Sequence, residues 1–252
     1  MTLWRLEWLR LARTRRWLVL VGVFLFFGLL GPLGARYLDQ ILGLAGGELE
    51  GAQIELPPPV PADGMIQFAS NAFQVGTLVV VVVAAGSLAF DAIAEMGVFL
   101  RTRVPDVRRI LVPRLVVTAT TVVASFLLGV GAAWYETWVL IGAPDARGVL
   151  VGTAYGILFL CFVVALVAAM AGRAATVLST VLGSALVLLL LPILGIADAI
   201  GRWLPSHLAG ALGALAAGAA PASDFLPAAG VTLAATVLLL WAAVHLAARR
   251  EV

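Results

Sequence analysis

The sequence predicts an all-α integral membrane protein, with six transmembrane helices behind an N-terminal amphipathic interfacial helix and both termini cytoplasmic. Three observations predict it. Of the 252 residues, 62% are hydrophobic and only 12% charged, and the mean hydropathy is +1.08; a soluble domain carries about twice that charged fraction. Six stretches, at 17–35, 65–90, 115–134, 149–171, 174–197 and 228–248, reach the roughly 20 apolar residues needed to cross the hydrocarbon core, and none contains Asp, Glu or Arg. The arginines are distributed unevenly around them. Thirteen of sixteen lie at the N-terminus (5, 10, 13, 15, 16), after the second stretch (101, 103, 108, 109, 114), at 173, and in the tail (249, 250). The other side keeps Arg36, Arg147 and Arg202 against nine acids, so the positive-inside rule puts both ends inside with an even number of spans.

Residues 1–16 carry Trp4, Trp8 and Leu11 at helical spacing among five arginines, which suits a helix lying along an anionic inner surface. Leu6 and Leu9 fall off that stripe, so a plain polybasic anchor and a packed elbow helix both fit. The first apolar stretch lacks a small-residue cleavage site and is long enough to remain as a span. The segment 36–64 is acidic and closes on Leu56-Pro57-Pro58-Pro59-Val60-Pro61, an extended, polyproline-like run that either caps the outer face or is a solvated connector.

The second stretch opens with Gln67, Ser70, Asn71, Gln74 and Thr77. At about 100° per residue these five fall within about a third of the helix circumference. Amides and hydroxyls at membrane depth require partners, so they either line a translocation path or bond neighbouring helices. Next comes a basic loop, 91–114, containing Arg101-Thr102-Arg103-Val104-Pro105-Asp106-Val107-Arg108-Arg109. Thr118, Thr121 and Ser125 on the third span, and Thr176, Ser179, Thr180 and Ser184 on the fifth, are weaker polar signals that hydroxyl bonds to the helix's own backbone explain.

Gly152 and Gly156, four apart on the fourth span, read as close helix packing. Gly172 and Arg173 form a tight turn into the fifth span, near whose outer end Pro192 predicts a kink. The segment 198–227 is too interrupted by Pro and Gly to span, although 203–215 is apolar enough to lie at the outer interface or dip in and return.

Several chemistries find no support. The chain has no lysine, so it has no P-loop, whose lysine must reach nucleotide phosphates. The lone Cys161 excludes an intrachain disulfide and a cysteine metal cluster. The spans carry no carboxylate to take up and release a proton, which disfavours an antiporter or pump working alone. The basic loop lacks the interleaved aromatics of a nucleic-acid site. His207-Leu208-Ala209-Gly210 is similar to the histidine motif of rhomboid proteases, but the nearest serine turn, Leu182-Gly183-Ser184-Ala185, lacks the outer glycines of GxSG.

The order of these parts resembles the permease subunits of ABC-2 type exporters. The likeness covers the whole chain: a basic amphipathic start, six spans with both ends inside, a longer first outer loop, an interrupted segment before the last span, and an Arg-Arg tail. Its most specific stretch runs from Gly97-Val98-Phe99-Leu100-Arg101 through Pro105 to Arg109-Ile110-Leu111. Asp106-Val107-Arg108 and Gly97-Val98 depart from the commoner Val-Ser-Arg and Gly-Thr. The resemblance implies a permease domain over 17–252, working with a second permease copy or paralogue and two cytoplasmic ABC ATPase subunits that bind the ATP and Mg.

It further implies a coupling helix among Glu95, Gly97, Arg101, Arg103, Pro105, Asp106, Arg108 and Arg109, with a second ATPase contact at Gly172 and Arg173. Gln67, Ser70, Asn71, Gln74 and Thr77 would then face the substrate pathway, with no catalytic residue, metal or cofactor in the chain itself. The arginines either pair with ATPase carboxylates or hold membrane lipid headgroups. The expected function is ATP-driven export of an amphiphilic or hydrophobic substrate across a bacterial cytoplasmic membrane. The alternative is a non-transporting membrane protein, such as an intramembrane protease or an assembly scaffold.

Overall fold

A computed structural model describes residues 3–40, 57–89, 107–174 and 176–249. Among these residues every regular element is helical, and six helices are long and apolar enough to cross a membrane. The chain is a multi-pass membrane protein. The acidic run 41–56 and the coupling-loop residues Glu95, Gly97, Arg101, Arg103, Pro105 and Asp106 lie outside the described residues.

Helix α1 (Leu3–Thr14) ends at Arg15, which takes the left-handed conformation with φ 53° and turns the chain into α2 (Arg16–Arg36). That conformation costs a non-glycine residue about 1–2 kcal/mol. It sets α1 as an elbow against the start of the third span instead of prolonging α2.

The second span, α3 (Pro61–Leu88), starts four residues before the apolar stretch does. Pro61 presets the first helical φ, and the Asp63 carboxylate accepts the Val60 backbone N–H at 2.8 Å. A capped first turn can carry a carboxylate that a purely apolar count leaves out. Midway, residues Ala72–Gly76 form a π turn, in which i→i+5 bonding accommodates one extra residue.

The third span, α4 (Val107–Leu140), runs 34 residues, from within the expected coupling loop to beyond Glu136. Pro113 lies inside it. Proline removes one backbone donor, a loss that neighbouring helices and local adjustment absorb in membrane helices. The fourth span, α5 (Ala146–Arg173), is capped by Asp145, whose carboxylate accepts the N–H groups of Arg147 at 3.2 Å and Gly148 at 2.9 Å. The fifth, α6 (Val177–Leu194), opens on a capping box: the Thr176 hydroxyl accepts from Ser179 N–H at 3.1 Å, and the Ser179 hydroxyl accepts from Thr176 N–H at 3.2 Å. Pro192 falls in its last turn, so little helix follows for a kink to redirect.

A broken hairpin then follows: one turn at Asp198–Gly201, a 3-10 segment at Pro205–Gly210, the short α7 (Ala211–Ala216), and a second 3-10 segment at Ala222–Phe225. Gly218, with φ 64°, ends the ascending arm in the left-handed conformation glycine takes freely. Leu208, Ala211 and Leu212 are fully buried, so this segment folds back into the bundle and does not lie flat at its edge. The last span is α8 (Leu226–Arg249).

The core is built around α5, whose apolar 18-residue stretch is 67% buried, against 11% for that of α6 and 17% for that of the last span. Two close approaches organise it. A Cβ on Gly28 of α2 would lie 2.6 Å from the Gly129 carbonyl oxygen of α4, so these helices cross nearly backbone to backbone. On α5, a Cβ on Gly152 would meet the Cα of Leu212 at 2.6 Å, which is how the hairpin seats so deeply. Gly156, one turn on, leaves room for the rings of Phe73 and Phe126. Phe126 is the hub of an aromatic cluster, with ring centroids 5.7 Å from Phe24, 6.1 Å from Phe68 and 5.5 Å from Phe73.

Candidate functional site

The π turn of α3, the second half of α6 and the hairpin border an open cleft of about 950 Å³. The walls follow from the packing. The part of α3 after the π turn lies against α5 and α6, while the part before it lies against α2, α4 and α7. α3 and α6 therefore part company away from the α1 end, and the hairpin closes the gap between them. Phe73 and Phe159, in edge contact at 5.7 Å between centroids, form the floor. Leu182, Leu186, Leu189 and Pro192 line the α6 wall, and Ser206, Gly210 and Ala214 the hairpin wall.

Three of the five polar residues of α3 line this cavity: Ser70, Gln74 and Thr77. The Gln74 amide donates to the Ser70 hydroxyl at 3.3 Å. Thr77 is 4% exposed, and its hydroxyl has no hydrogen-bond partner. Gln67 and Asn71 do not line the cavity; Gln67 is exposed and Asn71 half-buried on the bundle surface. The stripe therefore splits into a cavity-facing trio and an outer pair. At about 100° per residue the trio falls at one edge of the stripe and Gln67 and Asn71 at the other, so the split follows the order of residues across the stripe.

The hydroxyls of Thr121, Ser125 and Thr180 bond carbonyls of their own helices at 2.7–3.0 Å, as expected of helix-buried Ser and Thr. Ser184 does not: it is fully buried and its hydroxyl is unpartnered. The His207 ring stacks on Phe225 with centroids 4.8 Å apart. No Ser184–His207 hydrogen bond exists in this structure. Cys161 is half-buried and free, and no three His, Cys, Asp or Glu side chains among the described residues are grouped to hold a metal ion.

At the α1 end, Glu7 accepts the Arg114 Nε–H at 2.8 Å and stands 3.6 Å from Arg10. Arg16 donates to the Ser87 hydroxyl at 3.4 Å, which in turn donates a hydrogen bond to the Val83 carbonyl at 3.0 Å. These contacts tie α1 to the base of α4, and α2 to the base of α3. Sequence reading did not single out Glu7, although a lone carboxylate amid five arginines was a signal. Arg108 and Arg109 open α4 at this same end. Gly172 packs against α8, where a Cβ would meet the Ala243 carbonyl at 3.2 Å, and Arg173 beside it is exposed.

The chain matches no family model, no curated protein and no solved structure.

Proposed function

We propose that the chain is the membrane permease of an ABC-2 type exporter, set in a bacterial cytoplasmic membrane with the α1 end inside. It works as a dimer with a second copy or paralogue and is driven by separate ABC ATPase subunits that bind ATP and Mg. The observation that carries this reading is the cavity between the second and fifth spans. It has Ser70, Gln74 and Thr77, three of the residues that the resemblance assigns to the pathway, on one wall of a largely apolar cleft. Support also comes from Gln67, a polar group exposed on the outside of a membrane bundle, which a second permease copy would cover.

In this reading nucleotide binding closes the partner subunits against residues 95–109 and the turn at Gly172 and Arg173. The push reaches α4, whose first residues belong to that same coupling segment, and switches the cavity between inward and outward access. The permease contributes no catalytic residue; its part is to bind, to exclude water and to move.

The test uses the full chain extracted in mild detergent with its bound partners. An ABC ATPase should co-purify, and charge reversal at Arg101 and Arg103 should uncouple ATP hydrolysis from transport while leaving insertion intact. Normal transport and normal co-purification in that variant would sink the docking assignment. Activity of the chain alone that disappears with Ser184→Ala or His207→Ala would favour the protease reading instead.

A further inference from the structure

The elbow between α1 and α2 gathers more positive charge than its own carboxylate answers. Arg10, Arg16 and Arg114 come from three different helices, and the acid among them is Glu7. Its short bond goes to Arg114, at 2.8 Å. Arg10 is left 3.6 Å away, beyond hydrogen-bond reach. Arg16 holds only the neutral Ser87 hydroxyl, at 3.4 Å, and stands close enough to Arg10 for the two charges to repel. Neither side chain makes another hydrogen bond or ion pair with the described residues.

This pair differs from an ordinary basic surface. Arg5, Arg13 and Arg15 are exposed, where water and salt screen each charge. Arg16 is half-buried, and Arg10 keeps 33% of its side chain exposed, so both have given up hydration without gaining a carboxylate of their own. Their positions are fixed by the fold. The Arg16 guanidinium lies in space left by Gly86, where a Cβ would come within 3.2 Å of its Nη1, and Arg10 is one turn along α1 from the Glu7 that is bonded to α4. What both lack is an anion, and each remains partly open to receive one.

An anion shared by two guanidinium groups must be compact and present several acceptor oxygens. A phosphate does both, and the arginine fork matches its geometry. The surroundings favour a lipid as its source. Trp4, Trp8 and Trp17 are exposed around the same elbow, and tryptophan is enriched where a membrane meets water. The exposed Leu18 and Val19 at the start of α2 offer an apolar path for acyl chains. We propose that Arg10 and Arg16 form a discrete site for the phosphate of an anionic phospholipid. One headgroup there joins α1 to the base of α3, through the bond from Arg16 to Ser87. In the diffuse attraction of a basic helix for an anionic surface, by contrast, every arginine from 5 to 16 would count alike. The site does not depend on the export reading.

The full chain, purified in mild detergent, is titrated with phosphatidylglycerol, phosphatidylcholine and inorganic phosphate, and bound lipid is counted by native mass spectrometry. Phosphatidylglycerol should saturate a single tight site per chain. Phosphatidylcholine, whose ammonium would come close to the two arginines, should bind about tenfold more weakly. Arg10→Gln and Arg16→Gln should each weaken phosphatidylglycerol binding about tenfold, as loss of one hydrogen bond to a charged group does. The double variant Arg5→Gln with Arg13→Gln removes twice the charge from the same helix, yet should change binding less than about twofold.

An equal loss in the Arg5 and Arg13 double variant would overturn the proposal in favour of diffuse attraction. So would undiminished binding in both Arg10→Gln and Arg16→Gln, or phosphatidylcholine filling the site as well as phosphatidylglycerol. Inorganic phosphate that displaces the lipid at equal concentration would overturn the lipid as the source of the phosphate. Helicity and monodispersity of each variant guard against misfolding, and the comparison of the three ligands needs no variant. Charge reversal at Arg101 and Arg103 should leave the lipid count unchanged, so a failure of ATPase coupling and a failure of this inference give different results.

Discussion

Glu7 and Arg114 stand 107 residues apart and meet in a charge-assisted hydrogen bond of 2.8 Å, with side chains 11% and 7% exposed. Removing one partner of so buried a pair costs about 3–5 kcal/mol. Glu7→Ala should therefore free α1 from the base of α4, and hydrogen exchange should show residues 3–14 losing protection several-fold while α6 is unchanged. Because Arg10 also faces Glu7 at 3.6 Å, exchanging the two charges should restore protection only in part. Full protection in Glu7→Ala would mean that apolar packing alone holds the elbow.

Gly152 and Gly131 should respond to a methyl group in opposite directions. A Cβ at Gly152 falls 2.6 Å from the Leu212 backbone, whereas one at Gly131 meets nothing within 4 Å. Gly152→Ala should lower stability by about 1–3 kcal/mol through overpacking, and Gly131→Ala should raise it by about 0.5–1 kcal/mol through helix propensity. Thermal unfolding in detergent reads both, and shifts of the same sign would contradict the packing described.

Phe126 touches the rings of Phe24, Phe68 and Phe73 and is fully buried. Its replacement by alanine should cost about 3–5 kcal/mol, and Phe126→Leu clearly less. Equal losses in the two variants would show that ring contact, and not filled volume, holds the three helices together.

The π turn makes a prediction about chain length. Removing Val75, an exposed residue inside the turn, should convert α3 into a continuous α-helix with little loss of helicity, since one surplus residue is what such a turn absorbs. Removing Val82, which lies in regular helix, should disrupt the bundle, because every later side chain would rotate by about 100°. Circular dichroism and size exclusion distinguish these outcomes, and equal damage from both deletions would remove the special status of Ala72–Gly76.

The six spans were legible because each is an apolar run longer than any competing explanation allows. Their ends were not. Asp63 enters α3 as a capping group, and Arg108, Arg109, Pro113 and Glu136 all lie within α4, so a count that stops at polar residues ends too early. The grouping of Ser70, Gln74 and Thr77 was legible as a stripe. The same spacing puts Gln67 and Asn71 at the stripe's other edge, but which edge borders a cleft was not legible, because it depends on α6 and the hairpin, which are far away in sequence. The deep seating of residues 205–216 was expressed only as one of two alternatives. What decides it is the space left on α5 by Gly152 against Leu212, a contact between segments far apart in sequence.

Helix α4 is a single rod of 34 residues, about 51 Å long at 1.5 Å per residue. Its base is pinned to α1 through Arg114, and its far end presses Thr137 against Gly64 at the start of α3. As a lever arm that long, it turns a tilt of about 5° at the base into a displacement of about 4 Å at the tip, well over half a helical pitch. Small rotations near the N-terminal elbow are thereby magnified where the second span begins.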